Sequence, residues 1–352
     1  MSSAPHHGRN PLAGGGLLAI LAAVSFGVTT PIIQKLGLGA GAFPTAALLY
    51  AGAALASLGR SKSDREAPVR AQHVGRLTLV AFVGAVFAPA CLAWGLQRTS
   101  GSGASLLLNF EAVFTVLLAW RLYREPIGRR VGLALILMLA GGACLVVAGK
   151  SSAHFGWGAG AVVLATFGWA LDNALTRPLA DLNPTQVVRW KAGLGATFGL
   201  LLSLVLNQPF PEKANMLGLL LCGATGYGLS LRFYLLAQRQ VGAARTASIF
   251  AVAPFVGAAV AWLMGDRTAG FSTVLAAGLL GLGVYLHLSE KHRHRHTHEP
   301  LEHEHAHRHD DGHHDHSHES PVEGEHCHPH HHDSRAHDHP HAPDAHHHHR
   351  HA

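Results

Sequence analysis

Charge is scarce in this sequence: Asp, Glu, Lys and Arg make up 14% of its 352 residues, against roughly 25% in an ordinary soluble domain. A chain so poor in charge cannot clothe the surface of two soluble domains. Cysteine is nearly absent. Of four residues, Cys91, Cys144 and Cys222 fall in apolar stretches and Cys327 stands alone near the end, which excludes a disulfide framework or CxxC chemistry and leaves packing as their role. No phosphate-cradling loop of the GxxxxGKS kind and no placeable Ser/His/Asp set occurs, so an enzyme is the least supported class. The scarcity is also uneven. Residues 1 to 290 hold 21 Lys and Arg and 9 Asp and Glu, whereas residues 291 to 352 hold 6 and 12, with 25 of the 30 His. Two unlike polymers share one chain.

What the first polymer has is apolar length. A helix needs about 20 apolar residues to cross a hydrocarbon core about 30 Å thick. Ten such runs stand at 13–33, 40–59, 77–97, 102–122, 131–149, 156–176, 187–206, 215–237, 244–264 and 270–289. Asn109, Glu111, Asp172 and Arg232 interrupt them, as polar groups do where helices face a cavity. The first run lacks a small-residue cleavage site and is expected to stay as a helix. Alternate connections differ in Lys and Arg. One side carries Arg9, five residues between Arg60 and Arg76, Arg121, Arg124, Arg129, Arg130, Arg177, Arg189, Lys191, Arg239 and Arg245; the other has only Lys35, Arg98, Lys150, Lys213 and Arg267. The basic side is read as cytoplasmic, with both termini there and the protein in the cell inner membrane. The basic loops are orientation signals and do not call for nucleic acid.

The chain also repeats. At an offset of 141 to 142 residues, Ser25-Phe26-Gly27 meets Thr166-Phe167-Gly168, Gln97-Arg98 meets Gln238-Arg239, Gly101 meets Gly242, Ala119-Trp120 meets Ala261-Trp262, and Glu125 meets Asp266. Five spans per repeat is an odd number, so the second copy must be inverted, an arrangement in which secondary transporters hold their substrate at the midplane between halves. The expected organisation is a short N-terminus (1–12), a first repeat (13–149), a second repeat (150–290) and a tail (291–352): an all-α membrane protein of ten transmembrane helices.

The stretch SGASLLLNFEAVFTVLLAWRLYREPIGRRVGLALILMLAGGACLVV and, in the second half, GAARTASIFAVAPFVGAAVAWLMGD resemble the EamA type of the drug/metabolite transporter superfamily. The resemblance covers about 13 to 290. It implies a ten-helix, two-repeat secondary transporter, typically an exporter of small metabolites, working without ATP hydrolysis. It names no substrate. Where the family often has Pro before the Val-Phe of the fourth helix, this chain has Ala112, while the second repeat keeps Pro254, so a helix break is expected more firmly in the second half.

Glu111, near the middle of its run, is the leading candidate for transport: it can bind a cationic substrate group or exchange a proton to couple export to proton entry. Asn109 is two residues away and so diverges from it by roughly 200° on a helix, leaving one of the two to a structural role. Asp172 and Asn173 lie toward the basic end of the sixth run and Arg232 in the basic half of the eighth; an Asp172–Arg232 ion pair is expected, static or gating. Arg189 and Lys191 enter the seventh run at the membrane surface and are read as snorkelling topology residues. Trp94, Trp169 and Tyr227 could wall an organic substrate, or simply pack. Glycine pairs four apart, Gly128–Gly132, Gly156–Gly160 and Gly195–Gly199, are expected to allow close helix approach.

The second polymer is a histidine tail with little to bury, expected to be disordered without a ligand. His292, His294, His296, His298, His303, His305, His307, His309, His313, His314, His316 and His318 supply imidazoles suited to Zn, Ni or Co, in spacings so redundant that a buffer or sensor is expected rather than one fixed site. His protonation would also swing the tail's charge from −6 toward +19. No cofactor is required for transport. The cargo is expected to be a small organic metabolite under metal-responsive control; the competing readings are divalent transition-metal export and a membrane-anchored metal sensor or store. The partners are the substrate, the lipid bilayer and, if oligomeric, a second copy of the chain.

Overall fold

The computed structural model of the protein describes residues 11–58, 67–123, 127–148, 153–179, 182–241, 243–268, 270–289, 292–297, 301–307, 326–332 and 336–341. The first half contains α1 (Pro11–Leu36), α2 (Ala42–Ala56), α3 (Val74–Ala81), α4 (Ala88–Leu96), α5 (Gly101–Leu107), α6 (Phe110–Tyr123) and α7 (Arg129–Ala148). The second contains α8 (Ala153–Thr176), α9 (Pro184–Val205), α10 (Lys213–Cys222), α11 (Ser230–Val241), α12 (Ala243–Phe250), α13 (Ala253–Leu263) and α14 (Phe271–Leu288). Among the described residues, nine helical spans are long and apolar enough to cross a membrane. The run at 40–59 forms α2, which is apolar but only 15 residues long, about 22 Å at 1.5 Å per residue.

Leucine, isoleucine and valine side chains such as Ile20, Ile136, Leu201 and Leu282 remain exposed, as they do where lipid is the solvent. Trp94, Trp120, Trp157, Trp190 and Trp262 are exposed near helix ends, matching the aromatic belts of a bilayer. Inside, small residues let backbones meet. Gly195 abuts Ala85 and Gly199 abuts Ala47, as their spacing suggests. Gly132, Gly156 and Gly160 face open space, so the other two pairs do not mark close helix crossings.

The repeat is visible in backbone irregularities. A π-helical segment, Phe82–Phe87, joins α3 to α4, and another, Gly223–Leu229, joins α10 to α11. Their first residues are 141 positions apart. The fourth span of each half also breaks: Leu108–Asn109 separates α5 from α6, and Ala251–Val252 separates α12 from α13. Pro254 explains the second break. The first occurs without proline: the Asn109 side-chain amide donates to the Leu106 carbonyl at 2.9 Å, competing with the helical ladder. The expectation of a firmer break at Pro254 is therefore corrected, because Asn109 substitutes for it.

Equivalent helices run in opposite directions. Ser102 at the start of α5 lies against Ala258 and Asp266 at the far end of the α13 region, and Gly158 near the start of α8 abuts Arg98, at the end of the third span, on the face where α1 finishes. The second half is thus inverted relative to the first.

Hydrogen bonds lace the sparsely charged face. Gln34 donates to the carbonyls of Leu96 and Thr99 at 2.7 and 2.8 Å, Lys35 to Met264 at 2.9 Å and Gln97 to Ala40 at 2.9 Å. On the basic face, Ala67 and Leu182 form a parallel bridge over a small apolar cluster with Leu77, Val80, Leu179 and Val187.

Within the tail, four short segments pair as antiparallel ladders: β1 (His292–Thr297) with β4 (Ala336–His341), and β2 (Leu301–His307) with β3 (His326–His332). Alternation of His with other residues is a period-two pattern, the period of a strand. His298, His309, His313, His314, His316 and His318 lie outside the described residues.

Candidate functional site

Sequence dictates an unsatisfied acceptor in the third span. In the π segment an N–H would bond the carbonyl five residues earlier, but Pro89 has no N–H to offer Gly84. The Gly84 carbonyl instead accepts the Tyr50 hydroxyl at 2.7 Å and the Trp169 indole N–H at 3.1 Å. Both side chains are buried. Gly84 also leaves room on its other side: a methyl group there would overlap the Asp172 carboxylate. One glycine thus ties α2, the third span and α8 together.

Asp172 is 3% exposed, and its Oδ2 pairs with the Lys191 ammonium from α9. Its Oδ1 is buried without a well-formed hydrogen bond, although the Thr176 hydroxyl acts on the same carboxylate. This corrects two expectations. Asp172 does not pair with Arg232, which is exposed on α11, and Lys191, two turns into its helix, turns inward to the ion pair instead of out to the membrane surface. A buried carboxylate needs a near cation, and Lys191 is the one that faces it.

Glu111 lies in the first turn of α6, just past the Asn109 break, where a helix N-terminus favours negative charge. It accepts a hydrogen bond from the Asn173 amide at 2.9 Å. It also lies within electrostatic reach of Asp172 and Lys191. Asn109 is buried and spends its amide on the carbonyl of Leu106 in its own span, whereas Glu111 reaches Asn173 on α8.

An aromatic wall adjoins these groups. Phe26 on α1 meets Tyr227, Phe250 and Trp169 at centroid distances of 5.7, 5.7 and 6.3 Å; Tyr50 meets Tyr227 at 5.6 Å and Tyr234 meets Phe250 at 5.1 Å. Tyr234 and Tyr50 both lie within electrostatic reach of Glu111. Trp169 and Tyr227 are thus brought together with Phe26. Trp94 lies apart from them, exposed near the sparsely charged face, with the Arg98 guanidinium 3.9 Å over its ring. Sequence reasoning missed Tyr50, Gly84, Phe26, Phe250 and Tyr234. Gly84 and Pro89 were available as a signal, since a proline five residues after a glycine inside an apolar run frees a carbonyl that must find donors.

The two ends of the bundle differ. The first segment of the fourth span (α5) packs along the second segment of the ninth (α13), and both contact α1. By inverted symmetry α6 should pack along α12, but among the described residues α6 lies chiefly on α8, and α12 on α1 and α11. Packing among these four segments is therefore unequal, α5 lying on α13 at the sparsely charged end. Asp266 fastens this contact, its Oδ2 accepting the Ser102 N–H at 2.8 Å while Oδ1 accepts the Thr268 hydroxyl and N–H.

The sequence profile of the EamA-like transporter family matches residues 13–147 and 156–289, the two inverted halves. An uncharacterized transporter from Methanothermobacter thermautotrophicus is 27% identical over 210 residues, a match spanning 58% of this chain and 61% of that protein's own length. A solved chain, described only as a crystal structure of a protein, superposes with a TM-score of 0.58 at 15% identity over 78% of this chain and 98% of its own, a likeness of fold.

Proposed function

Because this chain belongs to the EamA-like transporter family, we propose that it is a secondary-active exporter of a small organic solute bearing an ammonium group, with Glu111 as the carboxylate that holds either the cargo or a proton. The observation that carries this reading is the Glu111–Asn173 pair beside the neutralised Asp172–Lys191 pair. Among these four residues one net negative charge faces an aromatic wall, and aromatic faces with a carboxylate recognise organic cations. Alternating access follows from the inverted halves: α5 with α13 and α6 with α12 are equivalent gates, closing in turn. With the basic face in the cytoplasm, this conformer loads from inside the cell. The histidine tail binds Zn, Ni or Co and regulates transport without supplying the pathway.

Uptake of radiolabelled ammonium-bearing metabolites into inverted membrane vesicles, driven by an imposed pH gradient, tests the reading. Glu111→Gln should abolish gradient-driven uptake, and deletion of 291–352 should leave uptake intact while removing its response to added Zn or Ni. Undiminished, equally pH-dependent transport by the Gln variant would refute the assignment.

A further inference from the structure

Glu111 and the Asn173 amide hydrogen-bond where α6 lies on α8, and the neighbouring Asp172 pairs with Lys191 of α9, in electrostatic reach of Glu111. Such a set of oxygen donors is what a hard divalent cation seeks. Here the Lys191 ammonium already sits on Asp172 Oδ2, while Asp172 Oδ1 is buried with no well-formed hydrogen bond. Lys191 therefore occupies the position a second positive charge would take. We propose that Lys191 is a specificity-determining residue, a tethered cation that limits the cargo of this site to a single positive charge and excludes divalent metals.

This rests on the reading of Glu111 as the cargo carboxylate. It explains why a bundle with two intramembrane carboxylates need not be a metal pathway. The repeat makes Lys191 distinctive: at the offset of 141 its counterpart is Tyr50, which lies in the same site and donates a neutral hydrogen bond to Gly84. The charge is built into one half only.

The test uses the full chain as wild type, Lys191→Met, Lys191→Arg and the double variant Asp172→Asn/Lys191→Met, reconstituted into proteoliposomes. Mn2+ binding is read by paramagnetic resonance and uptake of Mn2+ and of tetramethylammonium by tracer. All four proteins carry the same tail, so differences report on the bundle. Lys191→Met should bind one additional Mn2+, tighter than wild type by about tenfold or more, the scale of one unit charge at a few Å. The Arg and double variants should not. If Lys191→Met is unstable alone, Mn2+ should restore its folding, and the double variant, which loses both charges of the pair, should fold without Mn2+. Absence of any Mn2+ gain or Mn2+ rescue in Lys191→Met, or an equal gain in the double variant, overturns the proposal. Failure of wild type to transport any ammonium cargo would instead strike the reading of Glu111, while the Mn2+ comparison would still report on Lys191.

Discussion

Asp266 lies beyond the end of its span and is the carboxylate whose titration touches the closed gate. Partial burial pushes its carboxyl up, but the Ser102 N–H and the Thr268 hydroxyl and N–H outweigh that and hold it below the ordinary carboxylate range. A carboxyl with a depressed folded-state value contributes stability that is complete above its unfolded value and is lost as pH falls through the folded one. The gate should thus stay fastened across neutral and mildly acidic pH and loosen only below the usual carboxylate range. Replacing Asp266 by Ala should loosen it at all pH values. With Ala104, fully buried in α5, changed to Cys as reporter in a background free of native cysteine, a membrane-impermeant maleimide added from the sparsely charged face should label the Asp266→Ala protein severalfold faster. Unchanged labelling would remove Asp266 from the gate. The same scale shows what the sequence made legible. Glu111 stood out because a lone carboxylate in mid-span demands a partner. The identity of the partner of Asp172 did not, because Lys191 and Arg232 lie on different helices and only helix rotation decides which one faces inward.

At the scale of elements, two π segments and two helix breaks recur at matching places in the two halves. Periodicity of apolar residues reveals the spans but not these faults, since a span hydrophobic nearly all round has no face to count from. The α5–α6 break was concealed for a further reason: an asparagine back-bond to Leu106 does the work that Pro254 does in the other half. The fault at Gly84 matters most. Gly84→Ala should force α8 away from the third span by placing a methyl where the Asp172 carboxylate lies, with a cost on the scale of overpacking, about 1 to 3 kcal/mol, and a loss of transport larger than its loss of folded protein. Pro89→Ala acts more gently, because the restored N–H competes with Tyr50 and Trp169 for one carbonyl. Thermal unfolding and vesicle uptake measured on both variants check the order: Gly84→Ala worse than Pro89→Ala in each. The reverse order would mean that the room beside Gly84, and not its carbonyl, is unimportant.

For the whole molecule, the proposed exchange of gates requires inverted halves to pack unequally, since a symmetric arrangement would be either sealed or open at both faces. The contact of α5 with α13 brings the Ser102 hydroxyl to 3.4 Å from the Ala258 carbonyl, whereas among the described residues α6 packs chiefly on α8. A cysteine at Ser102 together with one at Ala258 should therefore cross-link in the conformer described here and hold the passage closed toward the sparsely charged face. Substrate should still bind from the basic face if α5 and α13 form the opposite gate, yet turnover should stop until the disulfide is reduced. Binding without turnover separates a trapped carrier from a damaged one. If the cross-linked protein transports as fast as the reduced one, α5 and α13 do not part during the cycle, and the inverted halves work by some motion other than exchange of these two gates.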